Sequence, residues 1–323
     1  MKKQLLSIYF ILALSLFSFS QTNVSGNISS NTTWTVANSP YTVTGNILVQ
    51  SGVTLTIEPG VTIQFNSGLY FKVNGALIAE GTKSNNIYFT SNLSSKGQGD
   101  WDKIWLETTS ATFDSDDNYM SGTIFKYCNI LYANEGLRID DSSFYLSNSI
   151  ISNNNSGINF RKVSYSIIEN NIFSYNTNGT NTSAGTENYG VGSFTYTKFL
   201  SNTFENNSGA GLMFGGYRNN ANNNIIKNNI VRNNSGNGMS FSWGDVVRGF
   251  ADNLIEGNIL EKIKIGIVGM GFIADWHYQG FLKNPAAEIV GMTQDFYGDE
   301  DKISRMKKEL INKSAKFTSL SFE

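Results

Sequence analysis

The chain has a single cysteine, Cys128, which excludes an internal disulfide framework, so its stability must come from stacking and packing. Its single histidine, His277, lies far downstream, and everything before it is without an imidazole for acid–base work. Charged residues make up only 15% and the formal net charge is -2, which gives no pull toward nucleic acid. Past the N-terminus no apolar run reaches the roughly 20 residues that a membrane-spanning helix needs. The N-terminus itself reads Met1-Lys2-Lys3, then an apolar stretch over 5–19, then small or polar residues at Ser18 and Ser20. That order fits a secretory signal peptide over 1–20, cleaved near Ser20, and hence a secreted or cell-surface protein. No cysteine follows the apolar stretch to carry a lipid anchor.

What the chain does contain changes abruptly near residue 260. Upstream it is rich in Asn and punctuated by Gly. Over 42–89 the apolar residues alternate: Val53, Leu55 and Ile57, then Val61, Ile63 and Phe65, then Phe71 and Val73, then Ile87 and Phe89. This period of two is broken by Pro59-Gly60, Asn66-Ser67-Gly68 and Asn74-Gly75, which predicts short half-buried strands joined by tight turns.

From about residue 123 a ladder of irregular rungs follows. One line runs through Cys128-Asn129-Ile130-Leu131, Asn148-Ser149-Ile150-Ile151, Asn170-Asn171-Ile172-Phe173, Asn202-Thr203-Phe204 and Asn228-Asn229-Ile230-Val231. A second line runs through Gly136-Leu137, Gly157-Ile158, Gly211-Leu212 and Gly238-Met239; its steps of 157−136 = 21, 211−157 = 54 and 238−211 = 27 suit coils with variable loops, the middle step spanning two rungs. No rung of three short strands can bury its own apolar face, so stacking makes the core. Asn suits the bends because it tolerates left-handed backbone, and stacked amides can form ladders along the axis.

The segment 41–65, with Val-Thr-Gly-Asn-Ile-Leu-Val-Gln-Ser-Gly-Val-Thr-Leu-Thr-Ile-Glu-Pro-Gly-Val-Thr-Ile-Gln-Phe, resembles the opening of secreted bacterial right-handed parallel β-helix proteins of the pectin-lyase-like fold. The resemblance covers about 30–260. It implies an all-β solenoid over 21–260, of roughly nine or ten coils, with polysaccharide or a cell-surface glycan as partner. Function on such a scaffold ranges from polysaccharide lyases and glycoside hydrolases to adhesins and plain surface spacers.

A glycosidase needs two carboxylates about 5 to 9.5 Å apart. The candidates are Asp114, Asp116 and Asp117 in an Asp/Ser/Asn-dense segment that reads as a loop, with Ca²⁺ binding as another use, and Asp140 beside Asp141. Adjacent strand residues face opposite ways, so Asp140 and Asp141 are a poor pair. For a lyase, Arg138, Arg161, Lys162, Lys198, Arg218 and Arg248 are spread over several rungs, and no basic–acidic constellation stands out. Trp101, Trp105 and Trp243 are sugar-stacking platforms if exposed and core residues if not. A binding, display or structural role is the principal expectation, and a polysaccharide lyase or hydrolase the alternative. A catalytic β-helix should show acidic or basic residues stacked on one outward face over neighbouring rungs.

From residue 262 the sequence becomes Lys-Ile-Lys-Ile-Gly-Ile-Val-Gly-Met-Gly-Phe-Ile-Ala. Gly269, Gly271 and Ala274 occupy the small positions of a Gly-x-Gly-x-x-Ala turn between a strand at 263–268 and a helix, and a second strand follows at 288–292. The wording through Asp275-Trp276-His277 resembles the Gfo/Idh/MocA family of NAD(P)-dependent sugar oxidoreductases. That resemblance implies a partial α/β Rossmann unit over 261–323. It implies NAD(P) as cofactor and puts the ribose-binding acidic position at Gln294, with Asp295 beside it. His277 matches a His frequent in the family's first helix and is expected to pack or cap. The catalytic Lys motif and substrate domain of that family are missing from 262–323, so the expectation is a non-catalytic tail and a chimeric reading frame, with a fragment of an NAD(P)-dependent sugar oxidoreductase in a real fusion as the alternative.

Overall fold

A computed structural model describes residues 21–182, 193–214, 220–241, 252–261, 263–268 and 287–293. The chain winds as a solenoid whose coils lay down three short strands, joined in later coils by a fourth at Val163–Ser164, Ser193–Thr195 and Asn220–Asn222, and outside one antiparallel hairpin the strands pair in parallel with their counterparts in neighbouring coils. Face A is a nine-stranded sheet that starts at Thr32–Trp34 and Thr54–Ile57 and ends at Leu254–Glu256. Face B runs from the first half of Tyr41–Val49 through Thr62–Phe65, Ile87–Ser91 and Cys128–Leu131 to Ile259–Glu261. Face C runs from the second half of Tyr41–Val49 through Phe71–Val73, Trp101–Glu107, Ala133–Asp140 and Ser156–Phe160 to Asn178–Thr182. Thr180 carries face C onward, its N–H donating to Gly211 O at 3.0 Å and its hydroxyl to Met213 O at 3.0 Å. Among the described residues the only helix is one 3-10 turn, Val36–Asn38.

The alternation in the sequence becomes the wall of this core. On face B the inward column is Tyr41, Ile63, Phe89, Ile130, Ile151, Phe173, Phe204, Val231 and Leu260, register partners in turn and all buried. Like residues stack, as with Phe173 on Phe204 at 4.7 Å and 9° between planes. Such interior columns supply the apolar burial that no single coil could.

Asn holds the corners through two adjacent positions. One is an exposed left-handed residue, such as Asn148, Asn170 and Asn228 between faces A and B. The next is buried, and its amide joins a ladder. Ser149 N donates to Asn171 Oδ1, Asn171 N to Asn202 Oδ1, Asn202 N to Asn229 Oδ1 and Asn229 N to Asn258 Oδ1, all at 2.8 to 3.0 Å. Asn154, Asn176, Asn207 and Asn234 repeat this at the corner between B and C, and Asn224 and Asn253 at the corner that leads into face A. Each amide nitrogen also donates to a main-chain carbonyl, as Asn202 Nδ2 does to Ile168 O at 2.8 Å. Buried corner groups are thereby satisfied without water.

One expectation changes in register and another is filled in. The line of Asn-containing phrases mixes positions: Asn202 is a ladder residue equivalent to Asn171, whereas Asn129 is the partner of Ile150 on face B. The 54-residue gap in the glycine line holds a rung at Gly179. A Cβ there would lie 2.2 Å from Gly211 O, and one on Gly157 would lie 2.3 Å from Gly179 O, so close approach of neighbouring coils demands glycine.

The strands expected downstream are present as Ile263–Val268 and Ala287–Thr293. They pair in parallel, and Ile267 is the partner of Phe241. The proposed signal peptide, Gly269, Gly271, Ala274, His277, Gln294 and Asp295 lie outside the described residues, as do Arg218, Trp243 and Arg248.

Candidate functional site

Strands of face C turn alternate residues outward, and insertions between coils leave those residues in register. Lys72, Trp105, Arg138, Asn159 and Asn181 are successive register partners across five strands. A second outward column sets Glu107 against Asp140, and a third sets Lys103 against Glu135. Acidic and basic residues are therefore stacked on one outward face over neighbouring rungs.

The charges interlock. Lys72 Nζ is 2.6 Å from Glu107, Lys103 Nζ is 3.1 Å from Glu135 and 3.4 Å from Asp102, and Arg138 Nη2 is 2.9 Å from Asp140. Arg161 Nε stands 3.9 Å from the other Asp140 oxygen. Asp140, 5% exposed, also accepts the Trp105 indole N–H at 2.8 Å. Every contact to Asp140 is thus from a donor, which suits a carboxylate fixed as an acceptor. Asn159 Nδ2 donates to Glu135, and Asn74 Nδ2 to Glu107 at 3.3 Å.

Trp105 lies in the strand between Lys72 and Arg138, with Lys72 Nζ 3.9 Å and Arg138 Cζ 4.7 Å from its ring. Cation–π contacts from the strand on either side occupy the ring where a sugar would stack. Trp101 is fully buried, stacked on Phe65 at 4.1 Å with its indole N–H on Leu131 O, and serves the core.

The sequence-derived carboxylates thus part company. Asp114 and Asp116 sit exposed in the turn of an antiparallel hairpin, Ala111–Phe113 with Tyr119–Gly122. Asp114 Oδ1 accepts the Asp116 and Asn118 amides at 2.9 Å, and hydrogen bonds led by the Asn118 side chain hold its carboxyl below the ordinary value. Asp117 pairs with Lys198 at 2.6 Å. Among the described residues no three His, Cys, Asp and Glu side chains gather as a metal cage. Asp140 and Arg138 do meet, with Arg161. The expectation that no constellation forms is corrected: coil stacking brings together residues that insertions separate in sequence.

Lys72, Lys103, Glu107 and Glu135 went unnoticed in the sequence. Their signal was there as polar or charged residues between buried neighbours in Lys103-Ile104-Trp105-Leu106-Glu107 and Arg138-Ile139-Asp140. The coil-to-coil register that unites them depends on the hairpin inserted after Glu107, which absorbs residues without shifting the next strand.

A family model described as right handed beta helix region matches residues 108–260. With the parallel three-faced coil it makes this part of the chain a right-handed β-helix. Over 66 residues the chain is 42% identical to Protein bark beetle of Drosophila melanogaster, a match to 20% of this chain and 2% of that protein. No solved structure matches. Among the described residues no helix is long and apolar enough to cross a membrane.

Proposed function

We propose that the chain is a secreted or cell-surface β-helix protein that binds polysaccharide on face C and presents it along a rigid rod. The observation that carries this reading is the in-register outward column from Lys72 to Asn181, a row of hydrogen-bonding groups at the roughly 4.8 Å strand spacing. A linear glycan laid along the axis would meet one side chain of this column per coil, Lys72, Trp105, Arg138, Asn159 and Asn181 in turn. The signal-like N-terminus supports export. On this reading the tail from residue 261 takes no catalytic part and binds no NAD(P) in service of the rod. A reading frame that joins two genes accounts for its unlike composition.

The test is affinity electrophoresis of the whole chain through gels holding soluble polysaccharides. Retardation by at least one polymer, weakened at least about fivefold by Arg138→Ala, a loss of about 1 kcal/mol, is expected. Mobility unchanged by every polymer would sink the reading.

A second reading, a carbohydrate-active enzyme, is favoured by the acidic and basic residues stacked on face C, the arrangement expected of a catalytic β-helix, within which the register partners Glu107 and Asp140 put two carboxylates on adjacent strands. Calcium on the β-helix would belong to this reading. Release of reducing or unsaturated ends by the wild type, abolished in Asp140→Asn, would favour it over binding alone.

A further inference from the structure

We infer that face C takes a neutral, hydroxyl-rich glycan and discriminates against polyuronates; this rests on the polysaccharide-binding reading and names its ligand class. The site carries four cations, Lys72, Lys103, Arg138 and Arg161, and four carboxylates, Asp102, Glu107, Glu135 and Asp140, and each cation lies within 4.0 Å of a carboxylate. Positive charge is already matched inside the chain. A polyuronate brings one negative charge per sugar and gains a cation only by displacing an in-chain carboxylate, which then faces both the ligand and its neighbours unpaired. A face of zero net charge also offers no gain from released counterions.

The carboxylate oxygens already face cations: Glu135 Oε2 lies 3.1 Å from Lys103 Nζ, and Asp140 Oδ1 lies 3.9 Å from Arg161 Nε. Asn74 Oδ1 has neither a hydrogen bond nor an ion pair and calls for a donor, which a sugar hydroxyl supplies and a carboxylate does not. With the Trp105 ring flanked by cations, recognition falls to hydroxyl hydrogen bonds, and its dependence on salt is slight.

The test uses the full chain in affinity gels holding galactomannan or xyloglucan as neutral polymers and polygalacturonate or alginate as polyuronates, at low salt and at about 0.3 M salt. Retardation by a neutral polymer that changes less than about twofold with salt, with none by the polyuronates, is expected. Glu107→Gln with Glu135→Gln removes two of the four carboxylates, which leaves Lys72 without an ion-pair partner and Lys103 with Asp102 alone. That variant, checked for folding by circular dichroism, should gain retardation by polygalacturonate that falls at least about fivefold in the higher salt. Wild-type retardation by polyuronates alone, falling steeply with salt, overturns the inference and leaves the binding reading intact. Retardation by neither class overturns both.

Discussion

At the scale of the residue, this fold is an arrangement of asparagines. Asn202 Oδ1 accepts from the main-chain N–H and the Nδ2 of Asn171, and Asn202 Nδ2 donates to Ile168 O, all in the interior. Asn202→Ala strands these partners without solvent, and the expected cost is about 3 kcal/mol, read as a lower urea midpoint. Asn228, exposed and left-handed with φ 57, is the contrasting case, and Asn228→Gly should change stability by less than about 0.5 kcal/mol. Equal losses for the two variants would contradict the ladder account. The sequence makes Asn legible as corner chemistry. It does not say which of two neighbouring asparagines is the ladder residue, because Asn170-Asn171 and Asn228-Asn229 present the same letter twice. Cys128 is fully buried and its thiol is pushed up by that burial, so it should react with a thiol reagent only after unfolding.

At the scale of the element, the hairpin between Glu107 and Thr123 is the main departure from bare coils. Phe113 and Tyr119 pack on Tyr145, which stands on face A between its register partners Ile124 and Ile167; both isoleucines point outward and yet are buried. Burial, and then the hydrogen bond from its hydroxyl to Glu169, push the Tyr145 phenol up to about 12. The folded value lies above the unfolded one near 10, so the folded state holds the proton more tightly. Stability from this group is complete below pH 10 and is lost as pH rises from about 10 to about 12. Tyr145→Phe should flatten that alkaline slope in denaturation midpoints measured across the window, and an unchanged slope would remove Tyr145 as its source. The Lys198 to Asp117 pair that ties the hairpin to a later coil is half-exposed, and Asp117→Asn should cost no more than about 1 kcal/mol. The hairpin's Asp-rich turn was legible as a loop, but its seat on face A was not, since Lys198 is 81 residues away.

At the scale of the whole molecule, the two unlike stretches of sequence remain unlike in role. The β-helix was readable because period-two alternation, turn residues and glycine spacing all point the same way. Face C was not, because its columns exist only once insertions of unequal length have been threaded between rungs. Downstream, two strands stand where the sequence puts them, and the reading proposed here gives them no share in glycan binding. A chain ending after Glu261 should therefore keep the glycan retardation of the full chain within about twofold, a difference below about 0.5 kcal/mol. Loss of retardation in a truncated chain that still folds would give the tail a part in the site.

The central claim is that glycan lies along face C, and amide hydrogen exchange with and without a retarding polysaccharide tests it most directly. Slowed exchange is expected, confined to Phe71–Val73, Trp101–Glu107, Ala133–Asp140, Ser156–Phe160 and Asn178–Thr182, with faces A and B unchanged. Protection on face A or B with face C unaffected would contradict it.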